Sequence, residues 1–310
     1  MAPIPGKGVS AKMRWDKKKV KYLLYVIPVT LIWVLFSLWP NILMFITGFF
    51  KWNGISPQKT FVGLQNFRDA FLDPHLKMVI LNTFIYIFAL LVLQTVIALG
   101  LTLVLHKNTR TNNFFRTLFF SPLVLSGAVV GLTWGYMYDT NLGMINSLLG
   151  AMGLQNFQQN WLGLAGVSVL CVVLVHIWQN LGYPLTMMLA GINNIPQNLY
   201  EVAQVEGAGP FQTFRHVTLP LLMPTLLRIM LLTITTGALA FDYIFVLTSQ
   251  GGSYSGSSPI DTLSVYIYRN LTATSNIGKP AALGVLLSVV LFFVYFVQYF
   301  VTRRVEDRIQ

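Results

Sequence analysis

The chain has 310 residues, of which 55% are hydrophobic and only 10% charged, against about 25% charge in an ordinary soluble domain. So few charges cannot keep a globular surface of this size dissolved, which excludes a soluble fold and makes membrane embedding the expectation. The balance of 21 Lys and Arg to 10 Asp and Glu, a net +11, is spread over both ends and several loops, so it records membrane topology and no nucleic-acid face is predicted.

Residues 1–21 form a basic lead with Lys7, Lys12, Arg14, Lys17, Lys18, Lys19 and Lys21. The apolar run that follows is too long for the h-region of a cleavable signal and lacks a small-x-small exit, so it is predicted to stay as the first span. Crossing roughly 30 Å of hydrocarbon takes about 20 apolar residues. On that basis six spans are predicted, at about 22–48, 79–105, 115–138, 165–191, 219–248 and 281–302, with a tail at 303–310. An unpaired backbone group in lipid costs several kcal/mol, so the spans are helices and the predicted fold class is an all-α polytopic membrane protein. Pro28, Pro40, Pro122, Pro184 and Pro224 interrupt them, which favours a bundle whose neighbours re-satisfy the backbone.

Six spans put both termini on one side. Fourteen of the Lys and Arg fall there, against six opposite (Lys51, Lys59, Arg68, Lys77, Arg269 and Lys279), with Arg228 inside a span. Cytoplasmic termini follow from the positive-inside rule. On the outer side, Leu142, Ile145, Leu148, Leu149 and Met152 recur at helical spacing. They predict a short interfacial helix within 139–164, the alternative being a loosely packed linker. The stretch 249–280, rich in Gly, Ser and Thr and ending in Gly278-Lys279-Pro280, reads as a loop with turn chemistry. A single cysteine, Cys171, excludes an internal disulfide and a Cys-based zinc site, and His75, His106, His176 and His216 have no ligand spacing. His176 and Cys171, set among apolar residues, read as packing.

Between the fourth and fifth spans, residues 192–220 carry their own punctuation. Asn194 or its neighbour can cap a helix starting at Pro196, and Gly207 and Gly209 can stop it. Pro210 can open a second short helix, and Pro220 marks its end or a kink on re-entering the membrane. The product is a helix-turn-helix whose small residues Ala203, Gly207 and Ala208 permit close approach by another protein.

In this segment Glu201, Val202 and Ala203 are followed after three residues by Gly207 and after nine more by Val217, Leu219 and Pro220. This resembles the coupling loop of permease subunits in binding-protein-dependent ABC importers, whose pattern is Glu-Ala-Ala, three residues, Gly, nine residues, Ile-x-Leu-Pro. Val202, Val217 and Glu206, where many members have Asp, are conservative departures. Trp52-Asn53-Gly54, Phe61-Val62-Gly63-Leu64-Gln65-Asn66-Phe67, Asn82-Thr83, Phe115-Arg116-Thr117-Leu118-Phe119-Phe120 and Thr262 through Arg269 are similar to the first, maltose-type, permease of carbohydrate importers over nearly the whole chain. The resemblance implies that 192–220 docks on an ATPase, with Glu201, Ala203, Glu206, Gly207, Ala208, Leu219 and Pro220 at the contact. It also implies a second homologous permease, two ATPase subunits holding ATP and Mg, an extracytoplasmic binding protein and a sugar substrate, with no cofactor on this chain. In the related proteins the substrate pathway lies near Trp178, Gln179, Asn180 and Tyr183 and around Phe241 and Asp242.

The residues agree on several points. The Gly-Lys pairs at Gly6 and Gly278 lack the upstream glycine and hydroxyl of a phosphate-cradling loop, so ATP hydrolysis falls to other subunits and this chain is not read as an enzyme. Trp178 through Pro184 mixes amides and aromatics in the way sugar recognition uses, while Asn180 could equally be helix-packing glue. Asp242, predicted deep in the fifth span, needs a cavity or a partner, and a structural bond to Tyr243 is the alternative. Arg228 reads as a snorkelling, structural residue. A polyol or phosphorylated polyol, an amino acid or a polyamine remains an alternative cargo. A polytopic membrane enzyme, the other class, would need convergent catalytic residues that His176 lacks nearby in sequence.

Overall fold

In the computed structural model, residues 17–250, 260–273 and 275–309 are described. The expectations that fall on 1–16 and 251–259 lie outside them. Sixteen helices occur among the described residues: α1 (Lys17–Trp33), α2 (Trp39–Thr47), α3 (Gln65–Phe71), α4 (Pro74–Ala89), α5 (Thr95–Leu105), α6 (Arg110–Phe120), α7 (Gly127–Met137), α8 (Met144–Ala151), α9 (Val167–Asn180), α10 (Gly182–Asn193), α11 (Gln197–Val205), α12 (Pro210–Thr213), α13 (Leu219–Leu239), α14 (Asp242–Gln250), α15 (Leu263–Ala273) and α16 (Gly278–Ile309). One small antiparallel pair, Phe50–Lys51 with Thr60–Phe61, closes the loop after α2.

Among the described residues, four stretches are long and apolar enough to cross a membrane: Tyr25–Thr47, Pro74–Leu105, Pro210–Leu239 and Gly278–Val305. Three of them carry a single π turn, at Val34–Leu38, Leu90–Gln94 and Phe214–Thr218, which joins α1 to α2, α4 to α5 and α12 to α13 without a break. Pro220 therefore neither ends nor breaks its helix. Its missing N–H and its ring are accommodated just after the wider π turn, and the rod runs on to Leu239.

The third and fourth predicted spans are bent pairs. Arg110–Val124 and Gly127–Met137 meet at 101°, and Val167–Asn180 and Gly182–Asn193 at 53°. At the first bend Pro122 sits in a 3₁₀ turn and Leu125 and Ser126 are extended, so no straight helix covers 115–138. At the second, Leu181 hinges the pair and Pro184 lies in the first turn of α10, where a lost N–H is free of cost. The fifth predicted span, 219–248, is also wrong as one rod. Ala240 is extended and α14 starts afresh at Asp242, whose carboxylate suits a helix N-terminus.

The stretch 249–280 holds a helix, α15, and Gly278, Lys279 and Pro280 form the first turn of α16. Glycine and serine content misled here because Val265 and Tyr266 are buried anchors that pay for helical order with apolar contact. The expected helix within 139–164 is α8. The main core joins α4, α7, α9, α10, α13 and α14 around Tyr86, Val130, Val173, Met188, Ile229 and Ile244. In α7, Gly127 and Gly131 allow α14 to lie directly on the backbone: a Cβ on Gly131 would stand 2.8 Å from Val246 Cβ and 3.0 Å from Tyr243 Cα.

Polar side chains fasten the loops. Buried Asn66 donates to the carbonyls of Gly48 and Phe50, both at 2.9 Å, and accepts from Asn276 at 3.0 Å. Arg116 donates to the carbonyls of Leu105 and His106 at the end of α5, where orphan acceptors and the negative helix terminus favour a guanidinium. At the start of α4, Asp73 caps the helix through the N–H of His75 at 3.0 Å and accepts from Tyr266 and Lys279, each at 2.6 Å. Burial raises the pKa of Asp73, but the bonds from Lys279, Tyr266 and the His75 N–H outweigh it and hold the carboxyl below its usual range.

Candidate functional site

The backbone interruptions at Leu125–Ser126, Leu181 and Ala240–Phe241 converge. Between them lies a cavity of about 230 Å³ lined by Gly127 at the start of α7, His176, Gln179 and Asn180 near the end of α9, and Thr236 through Tyr243 across the α13–α14 break, apart from Gly237 and Ala238. Irregular backbone at membrane depth is tolerated where it borders a cavity or is buried in protein, because its freed polar groups then find partners. One such group is the Leu125 carbonyl, which accepts from Gln179 Nε2 at 3.1 Å.

Of the residues expected on the pathway, Gln179, Asn180, Phe241 and Asp242 line this cavity together. Gln179 is buried, and Asn180 donates to the His176 carbonyl at 3.1 Å, leaving its Oδ1 without that duty. Phe241 stacks on Phe245 at 5.3 Å and leans on Tyr268 at 5.0 Å. Asp242 is exposed at the first residue of α14, not deep in a continuous span. Trp178 and Tyr183 do not join them. They are 40% and 45% exposed on other faces of the α9–α10 pair, Trp178 against Trp134 with ring centroids 5.6 Å apart.

Two of the lining residues, His176, which reads from sequence as packing, and Tyr243, belong to a further polar group. Tyr86 Oη, Tyr243 Oη and His176 Nδ1 form a triangle with sides of 2.6, 2.6 and 2.7 Å. All three residues are buried, and Nε2 of His176 has no protein partner. The Tyr243 hydroxyl thus serves this triangle and not Asp242. Only the presence of a histidine and tyrosines in otherwise apolar helices hinted at it, because the partners are 67 and 157 residues apart. Among the described residues no three His, Cys, Asp or Glu side chains converge as metal ligands would.

The second candidate surface is the α10–α13 connection. Pro196, not Asn194, is the N-cap of α11, and no side chain caps it. The helix ends in a complete Schellman turn: Gly207 has φ +76°, its N–H donates to the Gln204 carbonyl at 3.0 Å, and the Ala208 N–H reaches the Ala203 carbonyl at 2.9 Å. Gly209 has φ −70° and instead caps α12, its N–H donating to Gln212 Oε1 at 2.9 Å. Ala203 is buried against the bundle. Glu201, Glu206, Gly207 and Pro220 are exposed, and Ala208 and Leu219 are half-buried. Val202, Val205 and Phe211 are also exposed, at 54%, 89% and 72%. Tyr200 and Thr218 hydroxyls, 3.2 Å apart, tie α11 to the foot of the long helix.

Residues 95–307 match the family described as binding-protein-dependent transport system inner membrane component. The arabinooligosaccharides transport system permease protein AraP of Bacillus subtilis is 30% identical over 297 residues, covering 93% of this chain and 91% of its own. The trehalose/maltose transport system permease protein MalF of Thermococcus litoralis is 27% identical over 282 residues, covering 91% and 93%. Among solved structures, a chain of a bacterial ABC transporter involved in the import of the acidic polysaccharide alginate shares the fold. Its TM-score is 0.77 at 23% identity, with 92% of this chain and 96% of that one covered. The chain belongs to the inner membrane components of binding-protein-dependent transport systems, the permeases of ABC transporters.

Proposed function

We propose that this permease carries a sugar or oligosaccharide inward as one half of a translocation pore. A second homologous permease forms the other half, two ATPase subunits supply the energy, and an extracytoplasmic binding protein delivers the substrate. The observation that carries the reading is the meeting of three helix interruptions at one cavity that offers amides, a carboxylate and the Phe241 ring. Hydroxyls need donors and acceptors while sugar faces pack on apolar rings. The relatives named for arabinooligosaccharides and for trehalose and maltose support a carbohydrate cargo.

Each bent helix pair is read as one crossing, which gives six spans with residues 1–21 and 303–310 in the cytoplasm, and lipid around the exposed α1–α2 rod. The connection 192–220 then lies on the ATPase side. The Schellman turn leaves the backbone at Gly207 open, with no atom within 4 Å of where a Cβ would stand, so a partner can seat against it with Glu201, Glu206, Ala208 and Pro220 around the contact. ATP-driven closure of the partners pulls on α11, and the Tyr200–Thr218 tie passes that movement to the foot of α13, whose far end borders the cavity.

Purification of the tagged chain from its native membrane tests the whole assembly. ATPase subunits and a second permease should copurify, and ATP hydrolysis by the reconstituted complex should rise when binding protein and a neutral sugar are added. Stimulation by an amino acid and by no sugar would refute the substrate class. Tags at residues 110 and 210 reacting from outside intact cells would refute the orientation.

A further inference from the structure

The hydroxyl protons of the Tyr86–Tyr243–His176 triangle determine where the histidine proton sits. If His176 Nδ1 carries the proton, it can donate to one tyrosine, that tyrosine can donate to the other, and the last hydroxyl proton has no acceptor in the triangle. An unprotonated Nε2 would be a second unpaired group. If Nδ1 is unprotonated, one tyrosine donates to it and the other donates to the first or to the same nitrogen, so both hydroxyl protons are used. Burial makes every unpaired polar group costly, which selects the second arrangement. In that arrangement the neutral imidazole carries N–H at Nε2, a buried atom with no protein partner, in a residue that lines the cavity.

We propose that His176 donates from Nε2 to a hydroxyl or ring oxygen of a neutral sugar in the cavity, with Tyr86 and Tyr243 as positioning residues that hold the ring in the donor tautomer. The proposal rests on the sugar reading of the cavity and deepens it. Among the described residues Asp242 is the only charged one in the cavity wall, so an anionic uronate would meet a like charge with no Lys or Arg among them to offset it. A polyhydroxy ligand instead finds a donor at His176, an acceptor at Asp242 and a group that can do either at Asn180. The cavity therefore selects neutral sugars over acidic ones.

Two substitutions separate a ligand-facing role from a packing role. Glutamine places an amide N–H near the position of Nε2, whereas asparagine reaches only to the position of Nδ1 and keeps a bond to the tyrosines. In the reconstituted complex with binding protein, transport is measured for maltose, trehalose, arabinotriose and a diuronate. Wild type should carry at least one neutral sugar and not the diuronate. His176→Gln should stay within about threefold of wild type in half-saturating concentration, and His176→Asn should be weaker by about tenfold, with maximal rate and melting temperature retained. The double variant Tyr86→Phe/Tyr243→Phe should behave like His176→Asn, because nothing then fixes the tautomer.

The reverse order, with Asn tolerated and Gln impaired, would assign His176 to the tyrosines alone and overturn the proposal. Equal behaviour of the two variants would overturn it as well. Preference for the diuronate would overturn the selectivity while leaving the donor role to the variant series. Failure of wild type on every sugar would count against the carbohydrate reading itself, which is a different outcome from any ordering of the variants.

Discussion

A Cβ placed on Gly127 would lie 2.8 Å from Cβ of Asp242 and 3.2 Å from its Oδ2. The start of α7 and the start of α14 thus touch through the absence of a side chain, and the acid is set at the cavity edge by that contact. Gly127→Ala should push α14 away or rotate Asp242, a strain of about 1 to 3 kcal/mol by analogy with overpacked cores. Gly100→Ala is the control, since a Cβ there meets nothing within 4 Å and alanine is the better helix former. Thermal unfolding of the purified complex should show a lower midpoint for Gly127→Ala and no loss for Gly100→Ala. Equal midpoints would show that α7 and α14 are not packed as tightly as this geometry requires.

Asp242 offers a second test. Asp242→Asn keeps the shape and removes a charge from the first turn of α14, where the helix terminus is worth only about 0.3 to 1 kcal/mol to an exposed carboxylate. A charge-assisted bond to a sugar hydroxyl is worth roughly 1.5 to 3 kcal/mol, so apparent transport affinity should fall about tenfold to a hundredfold while the complex assembles normally. Loss of assembly in step with loss of transport would make the residue structural.

The contrast between Asp242 and its neighbours shows what could be read from sequence. Gln179, Asn180 and Asp242 were visible because polar groups in apolar helices demand partners or a cavity, and Phe241 was visible only through the family resemblance. The break that puts Asp242 at a helix start was not, since residues 239–242 read Leu-Ala-Phe-Asp with no glycine or proline. Distant contacts accompany it, among them the Tyr243 hydroxyl held by Tyr86 and His176 and α14 pressed onto the glycines of α7. The Gly207 stop was legible because its cause is local, a left-handed residue closing two backbone bonds. Trp178 and Tyr183 carry similar chemistry on faces that do not line this cavity, which helix phase across the Leu181 bend decides. At α15 the Gly and Ser content pointed to a loop while two buried side chains made a helix.

Stability should depend on Asp73 in acid. Its pKa in the folded chain lies below the ordinary 3.8 because Lys279, Tyr266 and the His75 N–H favour the ionised form. The unfolded chain therefore binds the proton first on acidification, and the stabilisation, complete above the unfolded pKa, is lost as pH falls through the folded one. Asp73→Asn should lower the melting temperature at neutral pH and approach wild type below about pH 3. Curves that stay parallel between about pH 5 and pH 3 would show that the carboxylate contributes nothing through its charge.

The turn after α11 is the sharpest test of the ATPase-facing surface. At φ +76° a residue with a Cβ is disfavoured by about 1 to 2 kcal/mol, yet the space around it is open, so Gly207→Ala strains only the turn while Gly207→Asp adds bulk and charge at the point of close approach. Both proteins should insert and retain the bundle, because no part of the core depends on that Cβ position. If the turn seats on an ATPase subunit, Gly207→Ala should keep part of the sugar-stimulated ATP hydrolysis, and Gly207→Asp should lose it or release the subunit on purification. Glu201→Ala, exposed on the same short helix, should give a milder loss. Full stimulation in Gly207→Asp, with the ATPase still bound, would remove this segment from the coupling interface and leave the energy to enter the bundle elsewhere.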